Sequence, residues 1–322
     1  MTGAVLTRPA SSPFSQIGRS RKVKNGIAAT LVTGSFLVAL IPLVWLLWTV
    51  VSKGYHVGAD SSWWTGTQRN KTYSDAGGGA KHAILGTLEQ VALCALISVP
   101  VAILVGIYLV EYGRGPFARI TTFMVDIMTG IPSIVAALFI YAVFISTFGM
   151  LGSGWLVSLA LVILMVPVIV RTTEEMLRLV PNELREASYA LGVPKWKTIM
   201  KVVLPTAFTG LVTGVILGIA RVAGETAPLL ILVGYSADTN TNLFNGPQGT
   251  LPGMIYDQFT NLNQAKGHGA YHLDANGNRV AGAAANFAPE RMWGTALTLI
   301  VIVLFLNLVA RLVGRFNKVS ES

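Results

Sequence analysis

Residues 171–205 read RTTEEMLRLVPNELREASYALGVPKWKTIMKVVLP, a polar and punctuated stretch between two apolar runs. It is too long and too well punctuated for a plain connector. Pro181 suits the first position of a helix, Asn182 to Leu191 continues it, and Gly192 supplies a left-handed stop. Pro194 starts a second helix, and Pro205 a third element that enters the next apolar run. Leu184, Ala187, Ser188 and Leu191 fall at i, i+3, i+4 and i+7 and share one face of the short helix. Glu183, Arg185 and Glu186 cover the rest. A short amphipathic helix between proline and glycine breaks has the form of a docking element for a soluble partner. The same pattern fits a helix whose apolar face lies back on the chain's own helices, and pattern alone does not choose between them.

The flanking runs set the class. The chain has 322 residues, 52% hydrophobic and only 12% charged, with a mean hydropathy of +0.59. Soluble domains carry about 25% charged residues, so an ordinary water-soluble enzyme is excluded. A hydrocarbon core of about 30 Å needs about 20 apolar residues as helix. Six stretches qualify: Asn25 to Ser52, Ile84 to Val110, Ile120 to Phe148, Trp155 to Val170, Ala207 to Gly234 and Trp293 to Ala310. The first is longer than a signal peptide's apolar core and ends in no small-x-small cleavage site, so it reads as a retained helix. Pro100, Pro132 and Pro167 fall inside the second, third and fourth stretches and are expected to bend or break them.

With the N-terminus inside, most of the 24 lysines and arginines fall on cytoplasmic segments. They cluster at Arg19 to Lys24, Arg114 to Arg119, Arg171 to Lys201 and Arg311 to Lys318. This bias puts both termini in the cytoplasm and accounts for the net charge of +9 without a nucleic-acid partner. The long segments from Lys53 to Ala83 and from Ser236 to Arg291 are then outside. Within the second, Leu251 to Phe259 is the apolar piece, expected at the membrane surface, and Asn261 to Asn286 reads as a flexible insertion. His268 and His272 in it are four apart but in a glycine-rich context, which argues against a metal site. The single Cys94 excludes an internal disulfide.

Several positions at fixed spacing then carry a family resemblance. Glu186-Ala187-Ser188, Gly192, and Val202-x-Leu204-Pro205 resemble the EAA motif of ABC importer permeases, with Ser188 and Val202 as mild departures. Ala220-Arg221-Val222-Ala223-Gly224-Glu225-Thr226-Ala227-Pro228-Leu229-Leu230 resembles the fifth-helix signature of the PstA family of phosphate permeases. Ile107 to Tyr112 and Gly130 to Val135 agree with it. The resemblance spans roughly Ala83 to Leu312. It implies an all-α, six-helix, MetI-like fold, and a coupling helix formed by Glu186, Ala187, Ser188, Leu191, Gly192, Leu204 and Pro205 that fits an ATP-binding subunit. It also implies a heterodimer with a PstC-like permease, two PstB-like ATP-binding subunits and an extracytoplasmic PstS-like phosphate-binding protein. ATP and magnesium would belong to the partner subunit, and this chain would carry no cofactor of its own. The chain has no G-x-x-x-x-G-K-[ST] phosphate loop.

On this reading the chain divides into an inside tail (1–25), a first helix (26–52), an outer loop (53–83), a permease core (84–312) and an inside tail (313–322). The core contains the coupling loop (171–205) and an outer loop (236–291).

Charges within apolar stretches are costly and tend to pair or line a polar path. Arg221 and Glu225 stand four apart, one face of a helix. Either they form an internal salt bridge, or Arg221 offers a bidentate cation to a passing oxyanion while Glu225 holds it and limits its grip. Thr226 adjoins them. Asp126 lies a turn or so from Arg119, which predicts snorkelling or a salt bridge there, with gating as the alternative. Glu89 is expected to be solvated at the outer surface. Gly210, Gly214 and Gly218 form a small-residue row for close helix contact, with a second permease or within the chain. The rival readings are a permease for sulfate or molybdate, the PstC-like role, and an ion-gradient-driven carrier that would need no docking loop.

Overall fold

The computed structural model describes residues 19–267, 271–273, 279–281 and 286–316. The described chain is almost wholly helical, and it divides into two units, residues 1–52 and 53–322.

Helix α1 (Arg19–Gly58) runs for 40 residues, about 60 Å at the α-helical rise. Beyond its basic start (Arg19 to Lys24), the portion in the first unit is apolar all round: Ile27, Leu31, Phe36, Trp45 and Trp48 are all exposed. An all-round apolar helix belongs in a hydrocarbon setting.

In the second unit, the centre is α6 (Gly154–Arg178), packed against α3 (Lys81–Ile107) and α9 (Leu204–Ala223). Leu156, Leu161, Leu164, Met165, Ile169 and Val170 of α6 are buried, with Cys94 and Ala102 of α3 and Val222 of α9. Gly106 of α3 faces Thr173, and a Cβ there would overlap that side chain. The close approach of α3 and α6 therefore depends on glycine. The row Gly210, Gly214 and Gly218 does the same on α9, against Met176, Thr172 and Ile169 of α6. The small-residue row serves an internal contact.

The third apolar run is not one helix. It breaks into α4 (Pro116–Thr129) and α5 (Ser133–Ile140), the latter continued by π-helical turns over Tyr141–Thr147, and the two parts are bent by 108°. Gly130 and Pro132 lie at the break, and Pro132 is extended, with ψ of 142°. The fifth run is broken too: α9 ends at Ala223, and α10 (Ala227–Leu232) packs on α5 and α6. Among the described residues five helices are long and apolar enough to cross a membrane, or six with the bent pair.

The α6 C-terminus leads into α7 (Asn182–Ala190) and α8 (Lys195–Thr198), followed by a π-helical turn, Ile199–Val203. At the opposite end lie α2 (Ser61–Thr65), the segments 66–80 and 233–250, and α11 (Leu251–Gly267). Trp63, Ala80, Ala83, Leu251 and Met254 form a small core there. Leu251 and Met254 are fully buried, so the start of α11 is packed inside this layer rather than lying on a membrane surface. Helix α11 also takes in residues 261–267 of the expected insertion. Strands β1 (Tyr271–Leu273) and β2 (Arg279–Ala281) pair antiparallel, with His272 opposite Val280. His268 lies outside the described residues. Helix α12 (Ala288–Phe316) closes the unit against α11 and α9.

Candidate translocation and coupling sites

Arg221 occupies the last turn of α9. Its Nη1 donates to the carbonyl of Leu164 on α6 at 3.2 Å, and the side chain is otherwise exposed. Pro167 lacks the N–H that would bond the Ile163 carbonyl, so the α6 ladder is locally loosened one residue before the carbonyl that Arg221 meets. Leu164 is ten residues into α6, about 15 Å along its axis, and fourteen residues from its other end. Arg221 therefore meets α6 near half depth, where an exposed cation is costly unless polar surroundings or a partner cover it.

The expected Arg221–Glu225 pair is absent among the described residues. The reason is the break: Gly224 caps α9, and Glu225 sits in the turn beyond it rather than on the same helical face. Glu225 and Thr226 are half-buried in that turn. Arg221 is thus close in sequence to both, yet not held by the carboxylate.

Asp126 pairs with Arg171 of α6, not with Arg119. Arg171 also bonds Glu174 at 2.5 Å, and Arg178 approaches Glu174 at 3.7 Å. Glu174 is buried, so the cluster ties α4 to the lower half of α6. Sequence separation hid Arg171, 45 residues away, behind the nearer Arg119.

The α7 region keeps its apolar residues outside. Leu184, Leu191 and Trp196 are exposed, Leu191 at 83%. Glu186, Ala187 and Gly192 are exposed as well, and Pro205 on α9, while Leu204 is half-buried. Of the four residues that share this face, Leu184, Ala187 and Leu191 are exposed and Ser188 is buried against the chain itself. Gly192 has φ +76°, the predicted left-handed stop. Pro181 stands one residue before α7 with ψ of 139°. Ser188 turns inward, and its hydroxyl bonds Thr198 at 2.8 Å. Arg185 also turns inward, to Glu111 at the end of α3. Sequence reading assigned Arg185 only to the polar side of α7.

The opposite end holds groups that the sequence left unremarked. Gln248 Nε2 donates to Glu89 at 2.9 Å and to the Asn240 carbonyl, while its Oε1 accepts from Gln90. Glu89 is therefore hydrogen-bonded and half-buried rather than solvated. Arg291 fastens segment 72–77 by donating to the carbonyls of Thr72, Asp75 and Gly77. The Thr72 N–H and hydroxyl hold the Asp75 carboxyl below the usual carboxylate range.

The profile of the family described as "Binding-protein-dependent transport system inner membrane component" matches residues 98–318. The phosphate transport system permease protein PstA 1 of Mycobacterium tuberculosis (strain CDC 1551 / Oshkosh) is 48% identical over 300 residues, 93% of this chain and 91% of that protein. PstA of Yersinia pestis is 41% identical over 237 residues, 73% of this chain and 79% of that protein. Among solved structures, a chain of the MetNI methionine ABC transporter, inward facing, superposes with TM-score 0.53 at 20% identity, over 72% of this chain and 94% of that one. A chain of a bacterial alginate ABC transporter does so with TM-score 0.60 at 13% identity, over 93% and 98%. The structural likenesses carry the fold, and the sequence matches carry the family. The chain is a multi-pass membrane protein with the MetI-like permease fold, and it belongs to the binding-protein-dependent transport inner-membrane components, within their PstA group.

Proposed function

We propose that this chain is the PstA-like half of an ATP-driven importer of inorganic phosphate. The observation that carries the reading is Arg221, an exposed cation near half depth of α6 whose partner on this chain is a backbone carbonyl. A guanidinium with donors to spare suits a tetrahedral oxyanion, which it can bind in a forked geometry. Because no carboxylate among the described residues pairs with it, the charge is available to the anion. The neighbouring turn at Glu225 and Thr226 would line the same path, and Glu225 would temper the attraction so that cargo leaves. The names of the relatives, phosphate transport permeases at up to 48% identity, support phosphate as the anion.

The partners follow from the same reading. A PstC-like permease would cover the exposed Arg221 side and complete the path. Two PstB-like subunits would bind ATP and magnesium, one of them seated on α7 through Glu186, Ala187, Leu191 and their neighbours. A PstS-like protein would deliver phosphate at the end bearing α2 and α11, outside the cell membrane, with both termini of this chain in the cytoplasm. ATP binding would draw the coupling helices together and open the core outward, and hydrolysis would return it.

The test is ATP-dependent uptake of labelled phosphate in vesicles holding the whole complex. Arg221→Ala should lower uptake at least about tenfold, the scale of a lost charge-assisted contact of 1.5–3 kcal/mol, while the complex still assembles. Arg221→Lys should recover part of it. Full transport by the alanine variant would make Arg221 structural. Uptake of sulfate in place of phosphate would keep the permease reading and reject the substrate.

A further inference from the structure

Helix α7 has two sides with different chemistry. Outward it shows Leu184, Leu191 and the carboxylate of Glu186, all exposed. Inward it sends Arg185, whose side chain is 13% exposed, onto Glu111, which is 6% exposed. Arg185 Nε and Nη2 reach Glu111 Oε1 at 3.1 and 2.9 Å. Nη1 donates to the Val180 carbonyl at 2.7 Å and to Asn182 Oδ1 at 3.3 Å, and Nη2 to the Leu177 carbonyl at 2.9 Å. One guanidinium thus joins three elements: α7, the last turn of α6, and the end of α3. Its rigid fork suits this better than a lysine would. The carbonyls it meets are those a helix C-terminus leaves unpaired, at the negative end of the helix dipole. Lys195 adds to the same point, bonding the Glu111 carbonyl and lying 4.6 Å above the Tyr112 ring.

Glu111 lies in the π-helical turn Tyr108–Tyr112. Such widened turns are rare and recur at functional sites. A buried ion pair adds little net stability compared with packed apolar side chains, so stability alone does not explain a pair placed here. Its geometry suits another task. The chain changes direction on either side of α7, with Pro181 extended and Gly192 left-handed. A push on the outer face of α7 reaches the last turn of α6 and the end of α3 through Arg185, while the Ser188–Thr198 bond ties α7 to α8.

We infer that the Arg185–Glu111 pair is the transmission link that carries movement of α7 into α3 and α6. The inference rests on the reading of α7 as the docking helix for the ATP-binding subunit. Arg185 and Glu111 are positioning residues, remote from the phosphate path.

The experiment measures phosphate transported per ATP hydrolysed by the full complex in proteoliposomes, with the binding protein supplied. Glu111→Gln keeps the side-chain shape and leaves Arg185 its bonds to Leu177 and Val180. Its transport per ATP should fall about tenfold, with hydrolysis kept within about twofold, a change typical of a lost coupling free energy. Arg185→Lys should give an intermediate ratio. An unchanged ratio in Glu111→Gln, or transport and hydrolysis falling together, would overturn the inference, since the pair would then only brace the fold. Should the Glu111→Gln complex not assemble, Arg185→Lys carries the same readout, and an unchanged ratio there overturns it equally. Leu191→Glu tests the docking reading apart from the link. It should release the ATP-binding subunit. Retention of that subunit with normal hydrolysis would sink the docking reading, and the transmission link with it.

Discussion

Ser188 illustrates how a single atom is accommodated. The EAA pattern has alanine there, and the serine is 8% exposed, so its hydroxyl would be costly if unpaired. Thr198 supplies the partner at 2.8 Å, so the departure is compensated ten residues downstream. Ser188→Ala should therefore lower stability by only about 0.5–1.5 kcal/mol, because Thr198 keeps its contact with the Pro194 carbonyl at 3.4 Å. A thermal melt of the purified complex would check this; a large drop would mean that the pair does more than satisfy a buried hydroxyl. Arg221 and Glu225 are the opposite case. Their spacing was legible in the sequence as a pair, but the pairing required a continuous helix, and Gly224 ends it.

At the scale of elements, glycine and proline decide where helices touch and where they stop. Gly214 sits against Thr172, where any Cβ would overlap the side chain. Gly214→Val should force α9 away from α6 and destabilise the chain by about 1–3 kcal/mol, the usual range for overpacking. It should also weaken the hold of α6 on Arg221. Thermal unfolding in detergent, read beside phosphate uptake, would test both effects; an unshifted melt would show that α9 and α6 are not packed through the row. A Cβ at Gly218 would lie 3.2 Å from Ile169, so Gly218→Ala should be the milder change. The proline in the third apolar run was visible as a breaker. The size of the bend, 108°, was not, since it follows from what α4 and α5 each find to pack against.

At the scale of the whole molecule, the lysine and arginine bias predicts a sidedness that can be measured. Cys94 is the single cysteine and is fully buried, so the chain offers no accessible thiol of its own. Introduced cysteines can therefore report sidedness. Ser61→Cys should react with a membrane-impermeant maleimide from outside intact cells, and Lys197→Cys only after the inner face is exposed. The reverse pattern would invert the arrangement that the lysine and arginine bias predicts. Much of the apolar surface of the spanning helices is exposed, as Leu96, Leu104, Phe139 and Phe305 illustrate. Lipid is a surrounding that such a surface fits.

The class, the apolar runs, the punctuated loop with its motif, and the residues of α7 are legible in the amino-acid order alone. These depend on composition, local periodicity, and proline and glycine stops, which act over a few residues. Which charges meet became visible with the packed fold. Arg171 rather than Arg119 takes Asp126, Gln248 takes Glu89, and Arg185 takes Glu111, across separations of 45, 159 and 74 residues. Such pairs depend on how helices pack, and the apolar patterning that directs the packing carries no mark of which polar groups it will bring together.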